Sequence, residues 1–115
     1  MKKFIGAASL IGNAFSLGML GLEIGDSVIM RDTCISLEQA REMIDPNFVS
    51  CVGHIDTANV FTNLLGKDVA FNRINAKLEV GDVILVGQLG ARLPEGATSL
   101  PEGFKLSWHF VEILG

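Results

Sequence analysis

A β-branched, apolar run, Phe48-Val49-Ser50-Cys51-Val52, ends in Gly53-His54 and passes directly into the helical pattern that starts with Ile55-Asp56-Thr57. An imidazole there stands beside the unsatisfied N–H groups of a helix start, a place that favours anions. The chain also offers two arginines at strand or loop positions (Arg73, Arg92), two amides at strand ends (Asn13, Gln88) and a loop carboxylate, Glu95. Such a set suits holding phosphates and protonating a leaving oxygen. Cys51 and His54 have CxxH spacing, but a zinc site would also need Cys34 and His109 to converge, with no second paired motif to bring them. No metal and no cofactor is expected. Walker, dinucleotide-binding, nucleophile-elbow and zinc-protease patterns are absent.

The elements that must position these groups follow from periodicity. Residues 3–11 read as a buried first strand, 12–16 as the loop leaving it, and 17–22 as a short helical turn weakened by Gly18 and Gly21. Ser27 to Arg31 reads as a second strand, closed by Asp32-Thr33. Ser36-Leu37-Glu38-Gln39 has capping-box spacing and opens a helix that Asp45-Pro46 should end. The strand into Gly53-His54 leads to a second helix from about Asp56 to Leu65, stopped by Gly66. From Val69 to Leu78 the pattern alternates, with Ile74, Ala76 and Leu78 facing one way and Arg73, Asn75 and Lys77 the other. Val83 to Leu89 reads as a central strand with Gln88 at its end, and Lys105 to Ile113 as the last strand, with Trp108, Phe110 and Glu112 on one face. Between them, Leu93-Pro94-Glu95-Gly96 and Leu100-Pro101-Glu102-Gly103 read as two turns of similar chemistry.

A chain of 115 residues fits one α/β domain covering residues 1–115. With 49% hydrophobic and only 19% charged residues, disorder is not expected, and apolar surface is left over that self-association could cover. The net charge of −4 argues against long nucleic acids but allows a small anion in a locally basic pocket. Two cysteines without a framework suit free thiols in an intracellular setting. Lys2-Lys3 before the apolar stretch imitates a secretory signal, yet Asn13, Ser16 and four glycines interrupt it, so a buried strand and loop, with no membrane span, is the expectation.

Four separated stretches, Asn13 to Leu20, Phe48 to Ala58, Asn72 to Leu78 and Arg92 to Thr98, together resemble the viral type III anti-CRISPR ring nucleases. These are small proteins, with bacterial relatives, that degrade cyclic tetra-adenylate, the second messenger of type III CRISPR defence. The resemblance runs along nearly the whole chain. It implies a mixed central sheet flanked by helices, and a cytoplasmic homodimer binding one cyclic tetra-adenylate across its two-fold interface. By matching position it implies His54 as catalytic acid and Glu95 as an assisting or positioning group, with Asn13, Ser16, Arg73, Gln88 and Arg92 as ligand contacts. Gly18 departs from the pattern, since relatives often carry Asn there, and the segment before Asn13 is longer than in the family.

The implied reaction is metal-independent: a ribose 2′-hydroxyl attacks the adjacent phosphorus in line, and the 5′-oxygen leaves with a proton from the acid, giving linear di-adenylate with 2′,3′-cyclic phosphate ends. The protein then has to impose geometry, stabilise phosphoryl charge and supply the proton. Two other function classes fit the residues: a module that sequesters the messenger without cutting it, and an interaction protein built on its apolar N-terminal region. At single residues the plainer alternatives are a turn histidine at position 54, a solvated sheet face at Arg73 and a solvated loop carboxylate at Glu95, since Glu102 occupies the same local motif.

Overall fold

The structure, a computed structural model, describes residues 4–115, so Lys2, Lys3 and the start of the expected first strand lie outside the described residues. The strands are β1 (Ala8–Gly12), β2 (Met30–Ile35), β3 (Ile44–Ser50), β4 (Val83–Leu89) and β5 (Leu106–Ile113), with helices α1 (Leu37–Glu42) and α2 (Ile55–Leu65) and a 3-10 turn over Leu17–Leu20. They form one α/β domain with a mixed five-stranded sheet in the order β2-β5-β4-β1-β3. β1 runs parallel to β3 and β4, while β5 is antiparallel to both β4 and β2. The carboxyl ends of β1, β3 and β4 therefore share one edge of the molecule.

Local chemistry accounts for the helices. At α1 the expected capping box forms: Gln39 N–H donates to Ser36 Oγ, and Ser36 N–H donates to the Gln39 side chain, both at 3.1 Å. At the far end of α2, Gly66 takes the left-handed conformation (φ 68°) that a glycine C-cap uses, and its N–H donates to Thr62 O. Both helices pack on one sheet face, where Ala40, Ala58, Val60, Phe61 and Leu65 join Ile11, Leu85, Trp108 and Phe110 in the main core. The other face carries Ile84, Val86, Val111 and Ile113 under Phe15, Met19, Leu20 and Val28.

Five expectations about elements need correction. The second strand begins later and continues through Asp32 and Thr33, because pairing with β5 from Met30↔Ile113 to Ile35↔Trp108 outweighs the polar residues, which lie on an edge strand. Asp45-Pro46 does not end α1. The helix stops at Glu42, and Pro46 sits within β3, an edge strand where its missing N–H breaks no interior ladder. The β1–β3 register jumps there, from Ala8↔Ile44 to Leu10↔Val49. Residues 69–78 form no strand. Only Val52↔Phe71 pairs, and although Ala76 and Leu78 are buried as the alternation required, Ile74 is exposed. Finally, β1 starts at Ala8 rather than near residue 3, and the helical turn ends at Leu20 in a 3-10 geometry capped by Gly21 (φ 61°). Among the described residues no helix is long and apolar enough to cross a membrane.

Candidate functional site

The segment Ser50-Cys51-Val52-Gly53 that delivers His54 is fastened from two sides. From β1, Ile11 O accepts the Cys51 N–H at 2.8 Å, and Asn13 Oδ1 accepts the Gly53 N–H at 3.2 Å. From the segment after α2, Asn72 donates its N–H to Val52 O and its amide Nδ2 to Ser50 O, at 2.9 and 2.7 Å, while Ser50 Oγ donates to Ala70 O at 2.6 Å. Residues remote in sequence thus hold the turn on which His54 stands. His54 is the N-cap residue of α2; its C=O accepts the Ala58 N–H, and its side chain makes no capping bond. Unlike α1, this helix start has no hydrogen bond from its N-cap side chain, which suits the approach of an anion.

In front of this helix start lies a cleft of about 460 Å³ lined by Asn13, His54, Asp56, Thr57, Gln88, Leu89, Arg92 and Leu93. Asn13 follows β1, His54 follows β3, and Gln88 and Leu89 end β4. The cleft therefore occupies the crevice beyond the carboxyl ends of parallel strands, the usual place for ligands on open α/β sheets. His54 and Arg92 are exposed, and the Asn13 amide spends its oxygen on Gly53, so its Nδ2 is the group left for a ligand.

Of the residues singled out from sequence, Asn13, His54, Gln88 and Arg92 meet in this cleft. Arg73 does not line it, but its methylene stem lies against Gly53, the residue before His54, with Cγ 3.6 Å from where a Cβ would stand. Ser16 is the N-cap of the 3-10 turn and is exposed, and Glu95 sits in an exposed turn outside the cleft lining. The two Pro-Glu-Gly turns do share one geometry. Ala97 N–H returns to Pro94 O with Gly96 at φ 80°, and Phe104 N–H to Pro101 O with Gly103 at φ 83°. Cys51 donates its thiol to Ile11 O at 3.3 Å, and burial pushes that thiol up from its ordinary value. Among the described residues, no three His, Cys, Asp or Glu side chains gather where a metal could be held.

Sequence reasoning missed Asp56, Thr57, Leu89 and Leu93, although each is adjacent or nearly so to a residue it did name. It named His109 only as a zinc ligand that nothing would bring to Cys51 and His54. His109 Nδ1 contacts both Asp32 oxygens at 2.9 and 3.1 Å, and its Nε2 lies 3.1 Å from Ser107 Oγ. Asp32 and His109 line a second cavity of about 340 Å³ with Phe15, Met30, Val86 and Val111, and Asn13 and Gln88 belong to both cavities. An i, i+2 pair on β5 facing a carboxylate on β2 becomes visible only once the strands are paired.

Comparison with known proteins bears on the fold and the family. The chain is similar to uncharacterized protein 26 of Sulfolobus islandicus filamentous virus (isolate Iceland/Hveragerdi), 35% identical over 78 residues, which are 67% of this chain and 66% of that protein. It is also similar to uncharacterized protein ORF117 of Acidianus two-tailed virus, 38% identical over 65 residues, which are 54% of this chain and 56% of that one. The matched stretches thus span between about half and two thirds of those relatives' own lengths. B116 of Sulfolobus turreted icosahedral virus (STIV) has the same fold, with a TM-score of 0.75 and 26% identity over 93% of this chain and 99% of B116. Residues 9–106, which include the helix-start histidine and the cleft before it, match the STIV B116-like family, and the chain belongs to that family.

Proposed function

We propose that this protein is a metal-independent ring nuclease that cleaves cyclic tetra-adenylate to linear di-adenylate with 2′,3′-cyclic phosphate ends and so switches off type III CRISPR effectors. The observation that carries the reading is the placement of His54 at an uncapped helix start, opening onto a cleft that also holds Arg92, Gln88 and Asn13. The motif resemblance points to the substrate, and the residue types lining the cleft suit its chemistry.

The ribose 2′-oxygen forms a bond to the adjacent phosphorus as the bond from phosphorus to the 5′-oxygen breaks. The nucleophile belongs to the substrate, and its proton passes to solvent. Arg92, the α2 N–H groups and the Asn13 amide take up charge on the non-bridging oxygens, and His54 donates its proton to the departing 5′-oxygen, a role worth about 10²–10⁴-fold in rate. A ring with four phosphates and two-fold symmetry matches a homodimer, in which two copies of Arg73, Arg92 and the α2 N-terminus face it. Leu17, Leu22, Ile24 and Ile29 stay exposed on one protomer and offer apolar surface for such an association.

The test is incubation of the purified protein with radiolabelled cyclic tetra-adenylate in excess EDTA, beside His54→Ala. Cleavage by the wild type alone is expected, with the variant still binding. Binding without cleavage by either protein would make it a sponge for the messenger. That second reading has one observation in its favour, the position of Glu95 outside the cleft lining.

A further inference from the structure

The two cavities differ in chemistry. The cleft before α2 holds Arg92 and a helix start, and so favours anions. Among the described residues, the lining of the second cavity has no lysine or arginine. Its walls are the apolar surfaces of Phe15, Met30, Val86 and Val111, and its charged rim is the Asp32 carboxylate, whose side chain is 53% exposed. That lining offers a phosphate no arginine and no helix start, whereas a flat heterocycle could lie among the apolar walls and present a hydrogen-bond donor to the rim.

Asp32 is prepared for that contact. His109 Nδ1 meets both of its oxygens, while Ser107 Oγ lies at hydrogen-bond distance from His109 Nε2 and completes a row that fixes the carboxylate's direction. An ionised carboxylate has about four acceptor sites and no donor, so lone pairs remain for a ligand, and the ligand's group must be a donor. Asn13 and Gln88, at the ends of β1 and β4, border both cavities. These two amides thus stand between the anion-favouring cleft before α2 and the cavity at Asp32.

We propose that the Asp32–His109 cavity receives the base of a nucleotide whose phosphate lies in the His54–Arg92 cleft, and that Asp32 selects an exocyclic amine, as on adenine, against a carbonyl at the same position. The inference rests on the nuclease reading for the phosphate end and adds the group that reads the base. Exchange of amine for carbonyl replaces a charge-assisted hydrogen bond by two facing acceptors, a loss of about tenfold in affinity.

The experiment is an NMR titration of the full chain with AMP and with IMP, following backbone signals of Val86 and Val111 beside those of the His54 turn, with cleavage of cyclic tetra-adenylate assayed in parallel. AMP is expected to shift both sets, and IMP to bind about tenfold more weakly. Asp32→Asn, whose amide can donate to the inosine carbonyl, is expected to narrow or invert the preference. Equal affinities in the wild type, or the absence of shifts at Val86 and Val111 with either nucleotide, would overturn the inference, and this comparison requires no variant to fold. Cleavage without discrimination sinks the base site and leaves the nuclease. Discrimination without cleavage sinks the nuclease and leaves a nucleotide site.

Discussion

Arg92 and Arg73 come near the His54 turn by different routes: Arg92 lines the cleft, while the Arg73 stem lies against Gly53 on a segment whose Phe71 pairs with Val52. Neither donates a proton in the proposed reaction, so Arg92→Ala and Arg73→Ala are expected to weaken binding of cyclic tetra-adenylate. His54→Ala should instead leave binding largely intact and lower single-turnover cleavage by about 10²–10⁴-fold. Equal losses of binding in all three would remove that division of labour. The twin turns supply an internal control for the carboxylate. Glu95 and Glu102 have the same local backbone, but Glu95 is three residues from Arg92 and Glu102 is ten. If Glu95 assists His54, Glu95→Ala lowers turnover and Glu102→Ala does not. Small, equal effects would mean that both are solvated loop residues.

At the scale of elements, the direction of α2 decides where His54 points, and that direction is set by packing against β4 and β5. Phe61 of α2 meets Trp108 of β5 with ring centroids 4.9 Å apart at 56°. Gly87 of β4 makes room for this pair: a Cβ there would clash with the Phe61 ring and come within 2.7 Å of Trp108 Cζ3. Gly87→Ala should cost about 1–3 kcal/mol by overpacking, measured by urea denaturation. Reducing the ring in a Gly87→Ala, Phe61→Leu double variant should recover part of that loss, because the two changes share one space. Additive losses would show that Gly87 is not there for the aromatic pair. The contrast between the helix starts belongs to this scale too. α1, with its complete capping box, is built for local stability, whereas α2 gives up a side-chain cap where its N-terminus faces the cleft.

For the whole molecule, one buried carboxylate joins both ends of the chain. Glu112, fully buried on β5, accepts two hydrogen bonds from Arg31 of β2, at 2.7 and 3.0 Å, and a third from the Ile5 N–H at 2.9 Å. The Arg31 hydrogen bonds hold its carboxyl below the ordinary carboxylate range against the opposing effect of burial, with Ile5 and the Arg31 charge adding to the lowering. A carboxylate whose folded value is depressed contributes stability that is present above its unfolded value and lost as pH falls through the folded one. Thermal unfolding from about pH 7 down to about pH 3 should therefore show a falling Tm on the acid side. Glu112→Gln should start lower at neutral pH and fall less steeply. Parallel slopes for the two proteins would place the acid sensitivity elsewhere.

Local patterns were enough for the sequence to determine the capping box at Ser36, the glycine stop at Gly66, the apolar face of α2, the β4 and β5 strands and the twin Pro-Glu-Gly turns, because each depends on residues a few positions apart. It also named the side chains whose types suit phosphate chemistry. Only tertiary structure decided that Asp32-Thr33 continues a strand, that Pro46 is tolerated on an edge, and that residues 69–78 stay out of the sheet, since long-range pairing overrides local signals there. The site divides in the same way. His54 could be placed at a helix start from its neighbours alone, but its meeting with Asn13, Gln88 and Arg92 required β1, β3 and β4 to run parallel and end together. The Asp32–His109 contact spans 77 residues and exists only because β2 lies beside β5, a pairing that no local pattern encodes.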